Sequence, residues 1–105
     1  MGTIDEREEA LEKEYVMKRE RSFHIRARRD RMLARWAAEL IGRNDFDAYF
    51  DEVISAGLLT SGDENVFRKI FSDLQYADVA IDAQTVREKM KQLLLEAATS
   101  LDEAG

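Results

Sequence analysis

The chain has 105 residues, 36% of them charged, and a net charge of −6. One domain with a modest core is the most that this length supports. The absence of cysteine excludes disulfides and thiolate metal sites, and the absence of proline leaves no forced break inside a helix.

The charge is unevenly spread. Residues 1–17 carry −4, residues 18–35 carry +6, and residues 36–105 carry −8. An acidic arm therefore leads into a basic girdle and then an acidic body. The acidic body argues against nucleic acid as a partner, because a duplex would repel it. No apolar run approaches the roughly 18 residues that span a bilayer, so direct membrane insertion is not expected. The acidic start is unlike a secretory signal, which together with the lack of cysteine favours a cytoplasmic setting.

Residues 5–41 contain neither Gly nor Pro and are rich in Glu, Arg, Ala, Leu and Lys. These residues lose little rotamer freedom in a helix, so one long helix is predicted. Thr3, with Glu6 three residues on, is a candidate cap. The apolar seam is thin at Ala10, Leu11, Tyr15, Phe23 and Ile25. It becomes dense at Met32, Leu33, Trp36, Ala37, Leu40 and Ile41. Only the dense part has a face wide enough to anchor a helix, so residues 1–20 are expected to fray or bend away in the free protein. Gly42 is the expected stop.

Asn44 or Asp45 can cap a second helix bearing Phe46, Tyr49, Phe50, Val53 and Ile54, ended by Gly57. Ser61 and Glu64 form a capping box before a third helix with the stripe Val66, Phe67, Ile70, Phe71 and Leu74. Asp82 caps a fourth, with Ile81 placed to staple onto Val86. Val86, Met90, Leu93, Leu94, Ala97 and Leu101 run down its side. No stretch alternates as a strand would. The expected fold is all-α: a small four-helix bundle body over 21–101, an extended or mobile helical arm over 1–20, and a frayed tail over 102–105. Trp36, Phe46, Tyr49, Phe50, Phe67 and Phe71 are the expected aromatic core.

Few residues offer chemistry. His24 is the sole histidine and has no partner for a metal site. The serines lack a histidine base, and no glycine-rich phosphate cradle occurs. Asp51–Glu52 and Asp63–Glu64 read as solvated carboxylates. No metal, cofactor or enzymatic activity is expected. Arg28, Arg31 and Arg35 could bind an anion such as a nucleotide phosphate, although pairing with the acidic segments or plain hydration is the simpler reading. The acidic arm, with Leu11 and Tyr15 as its apolar edge, suits either a segment that orders in a partner's groove or a solubilising tail.

Two blocks carry a resemblance. Ile4-Asp5-Glu6-Arg7-Glu8, Glu12-Lys13, Ala27-Arg28-Arg29, Leu33, Trp36-Ala37-Ala38-Glu39-Leu40 and Gly42 form the first. Gly62-Asp63-Glu64-Asn65-Val66-Phe67-Arg68-Lys69 with Asp73-Leu74 forms the second. Together they resemble the alphaproteobacterial F1-ATPase inhibitor zeta-subunit family, nearly end to end. The resemblance implies a four-helix regulatory protein that blocks ATP hydrolysis by the F1 sector of the bacterial ATP synthase. It implies an N-terminal arm that inserts at a catalytic alpha/beta interface, with the gamma subunit as a further contact. Carried over, the contact residues are Ile4, Asp5, Arg7, Glu8, Leu11, Glu12 and Tyr15. A monomer when free is expected, peripheral at the inner membrane through the synthase. The alternative is a helical module that binds nucleotide or another anion weakly through its arginines and inhibits little.

Overall fold

A computed structural model describes residues 2–59 and 62–104, with side chains over 7–59 and 62–102. Four helices follow in order: α1 (Gly2–Ile41), α2 (Phe46–Gly57), α3 (Glu64–Tyr76) and α4 (Ala83–Ala104). No strand occurs among the described residues. α1 packs against all three other helices, and α3 packs against both α2 and α4. α2 and α4 do not meet, so they lie across the diagonal of the bundle.

α1 is unbroken for 40 residues. At 1.5 Å per residue this is about 60 Å, close to the molecule's longest dimension of 65 Å. It stops where expected. Gly42 takes a left-handed φ of +88°, and the N–H groups of Gly42 and Arg43 both donate to the Ala38 carbonyl at 2.9 Å. This satisfies a carbonyl that the helix end would otherwise orphan. α3 ends the same way with a non-glycine residue: Asp78 has φ +58°, and the Val79 N–H closes on the Leu74 carbonyl at 2.9 Å.

The core differs from the expected seam in its rotation. Leu33, Ala34, Ala37 and Ala38 are the buried residues of α1 in the apolar core, whereas Trp36 and Ile41 are half-buried and Leu40 is 41% exposed. Alanines form the interface because neighbouring helices approach α1 closely there, which a seam chosen by large side chains misses. The rest of the core comes from Tyr49, Val53, Val66, Phe67, Ile70, Leu74, Val86, Met90, Leu93 and Ala97. Of the expected aromatic core, Tyr49 and Phe67 are buried, while Phe46, Phe50 and Phe71 pack at its margin.

The caps are mixed. Asp82 accepts from the Thr85 N–H at 2.8 Å and from its hydroxyl at 2.6 Å, as the sequence predicts for α4. Asp45 stands at the α2 N-cap position without a side-chain cap bond, because its carboxylate is taken by Arg43. Asp63, not Ser61, stands at the α3 N-cap. The Ser61 half of the expected capping box, and the Thr3 cap with Glu6, lie outside the described side chains. Glu64 turns away to Arg87 at 3.2 Å.

Candidate functional site

The arm is the part of α1 that outruns the bundle. Every side chain from Arg7 to His24 is exposed. Among the described residues, no hydrogen bond or ion pair from Arg7–Glu20 reaches another helix. Its contacts are internal: Glu14 with Lys18 at 3.3 Å, and the Arg19 guanidinium 5.9 Å from the Tyr15 ring. Arg7, Glu8 and Glu12 are exposed, as are Leu11 (60%) and Tyr15 (63%). Ile4 and Asp5 lie in α1, and their side chains fall outside the described ones.

The phase of the apolar edge is informative. Eighteen residues make five whole turns of an α-helix at about 3.6 per turn. Tyr15 is therefore in line with Leu33, and Leu11 with Arg29, both of which the bundle buries. The arm continues the core-facing side of α1 beyond the point where the body can cover it. The relation follows from helical spacing once the buried positions of α1 are known.

At the root of the arm sits a buried ion cluster. The Arg29 guanidinium donates from Nε to Asp30 at 2.7 Å and from Nη2 and Nη1 to the two Asp63 oxygens at 2.7 and 3.4 Å. The two-pronged bond to Asp63 fixes α1 against the start of α3. Burial works against the Arg29 charge, but Asp63 and Asp30 more than offset it and hold its pKa up. Burial raises the Asp30 pKa despite the neighbouring Arg29. The Arg29 hydrogen bond holds Asp63 below its ordinary value. Asp63 is partly covered by its bond to Arg29, while Glu64, though paired with Arg87, stays exposed as a solvated carboxylate does. Glu52 is likewise paired, with Lys69 at 2.8 Å and Arg43 at 3.0 Å.

A second network stiffens the far end. The Tyr49 hydroxyl donates to Asp73 at 2.8 Å, and Lys69 lies 2.9 Å from the same carboxylate. Burial and the Asp73 bond push the Tyr49 pKa up.

The three girdle arginines do not point one way. Arg28 donates to the Ser100 hydroxyl on α4 at 2.9 Å. Arg31 lies over Phe46 and Phe50 of α2, at 5.6 and 5.3 Å from the rings, and Arg35 lies 5.5 Å from Phe46. Arg21 pairs with Asp102 near the end of α4. Among the described residues no group of three metal-ligating side chains comes together, and no helix is long and apolar enough to cross a membrane.

The family model for ATPase inhibitor subunit zeta matches residues 1–100, which takes in the arm, its root and nearly all of the bundle. The chain belongs to the zeta-subunit family of ATPase inhibitors. No curated protein matches it. Membership in the zeta family assigns an inhibitory role toward an ATPase.

The carboxylates give this zeta-family chain a definite acid response. Asp45, Glu52, Asp63, Glu64 and Asp82 are all held below their ordinary values of 3.8 for Asp and 4.5 for Glu. Stability from a lowered carboxylate is complete above the unfolded value and is lost as pH falls through the folded one. Asp30, being raised, acts oppositely and favours the folded state as pH falls. With five carboxylates lowered and one raised, the melting temperature followed by circular dichroism should fall between about pH 5 and pH 2. A melting temperature that climbs across that range would contradict the pairing described.

Proposed function

We propose that this chain inhibits ATP hydrolysis by the F1 sector of a bacterial ATP synthase, with residues 1–20 as the inhibitory arm and 21–101 as the body. The observation that carries this is the uncovered apolar edge of Leu11 and Tyr15, in phase with the buried face of α1. A face built to be covered, projecting from a body that cannot cover it, fits a helix that a partner's cleft encloses. The arm enters a catalytic interface between alpha and beta subunits, with gamma as a further contact. Leu11 and Tyr15, with Ile4, lie against apolar walls, while Asp5, Arg7, Glu8 and Glu12 meet charges of opposite sign. A cleft wedged in this way cannot close, so hydrolysis stalls, and rotation in the synthesis direction expels the wedge. The protein acts as a monomer at the cytoplasmic side of the inner membrane, held there by the synthase.

The competing reading, an anion or nucleotide at Arg28, Arg31 and Arg35, has less support. Arg28 is drawn to Ser100 while the other two lie over α2 aromatics.

ATP hydrolysis by cognate F1, with full-length protein against a version lacking residues 1–20, tests the proposal. Inhibition should be lost and the melting temperature of the body kept, because the described arm side chains make no hydrogen bond or ion pair to the other helices. A truncated protein that inhibits fully would overturn it.

A further inference from the structure

α4 follows α1 outward toward the arm. Its inner residues Val86, Met90, Leu93 and Ala97 are buried, and it runs on to Ala104. Past Ala97 two of its side chains still reach α1. The Arg28 guanidinium donates to the Ser100 hydroxyl at 2.9 Å, and Arg21 pairs with Asp102. Arg21 and Arg28 are seven residues apart, about two helical turns, so both lie on one face of α1. Beyond Arg21 the two helices part. An open hollow there has Ala10, Met17, Arg21 and His24 of α1 among its walls, with Leu101 from α4.

The end of α4 runs against the rule for a free helix terminus. The C-terminus of a helix carries partial negative charge, which cations favour and carboxylates oppose. The last turn of α4 has no basic residue, and the sequence places Asp102 and Glu103 there instead. Arg21 and Arg28 bring from α1 the cations that α4 lacks. A locally unfavourable choice that is met by charges on another helix points to a role between helices.

We propose that Ser100 and Asp102 are positioning residues for the arm: they clamp α1 at Arg28 and Arg21, so that the arm leaves the body as a helix already ordered at its root. The proposal rests on the arm reading given above. Helical order in a short segment depends on packing, and an unsupported root frays. Tyr15 lies six residues beyond Arg21, about 9 Å of helix. A clamp at Arg21 shortens the stretch that must be ordered when a partner encloses Tyr15, and ordering a chain on binding costs affinity. The Arg21 and Asp102 side chains are 46% and 61% exposed, so the pair is worth what a surface pair is worth and the effect of losing it is modest.

The test uses full-length chains, read in two ways. Amide hydrogen exchange of the free protein follows residues 15–24, and ATP hydrolysis with F1 gives the concentration for half-inhibition. Asp102→Asn should raise that concentration about threefold, and Ser100→Ala with Asp102→Asn about tenfold. Exchange over 15–24 should quicken in both, while circular dichroism melts of the body stay unchanged. Asp102→Glu keeps the charge and should behave as the parent chain. Glu96→Ala removes a carboxylate whose hydrogen bond is to Gln92 within α4, and should alter neither reading. Unchanged exchange and unchanged half-inhibition in the folded double variant would overturn the clamp. So would an equal loss in Asp102→Glu and Asp102→Asn, or a lower half-inhibition concentration, which would make α4 a restraint on the arm. If the chain lacking residues 1–20 still inhibits, the arm reading fails, and the exchange measurement still decides whether α4 orders the root.

Discussion

Replacing Arg29 with alanine should cost about 3–5 kcal/mol of folding stability, read by chemical denaturation, the range for breaking a buried pair from one side. Arg29 is 2% exposed and holds two carboxylates from separate positions. Their fates differ once it is gone. The Asp30 side chain is 12% exposed, so its charge stays in the interior with no hydrogen-bonded partner and only the field of Arg26 to balance it. The Asp63 side chain is 42% exposed and can turn to water. Most of the loss therefore comes from Asp30. The matching double change, Arg29→Met with Asp30→Leu, should recover much of it, since a well-packed apolar pair avoids both desolvation costs. A loss below about 1 kcal/mol for Arg29→Ala, the size of a surface pair, would show that the cluster is not buried in solution.

This cluster also marks where sequence reading reached its end. Helix number, order and most boundaries follow from composition and caps: Gly42, Gly57 and Asp82 stop or start helices where the residue types demand it. The identity of the buried charge was harder to see. Arg28, Arg29 and Arg31 look alike in a row, and nothing in their chemistry says which one turns inward. Spacing does say so. Arg29 stands four residues before Leu33 and eight before Ala37, on the face that packs. Its partner Asp63 was read with Glu64 as part of a solvated pair, because local rules cannot foresee that a residue at the N-cap position of one helix will be claimed by a guanidinium from another. The alanine interface was missed for a related reason. Ala34 and Ala38 carry little apolar area, so a seam ranked by side-chain size passes over the positions where helices come closest.

Changing both Leu11 and Tyr15 to aspartate should leave stability almost untouched and nearly abolish inhibition. The folding side follows from exposure. Both residues stand clear of the body, and among the described residues the Tyr15 ring meets Arg19 on the same helix. The binding side follows from area. An apolar side chain buried in a partner is worth about 1.5–3 kcal/mol, and every 1.4 kcal/mol is about tenfold in affinity. Losing two such contacts should raise the concentration for half-inhibition by about two to four powers of ten. Inhibition that survives at the original concentration would mean that the apolar edge of the arm is not what the ATPase encloses.

The unbroken length of α1 makes it a lever whose fulcrum is the Arg29–Asp63 bond. From Arg29 to Arg7 the helix covers 22 residues, about 33 Å of rise. A tilt of about 10° at the fulcrum would carry the tip some ~6 Å sideways on that same geometry. Small adjustments in packing between α1 and the first turn of α3 are therefore magnified into the width of a side chain at the working end. On the proposed reading the body aims the arm, so a substitution at Asp63 that frees α1 from the first turn of α3 should weaken inhibition.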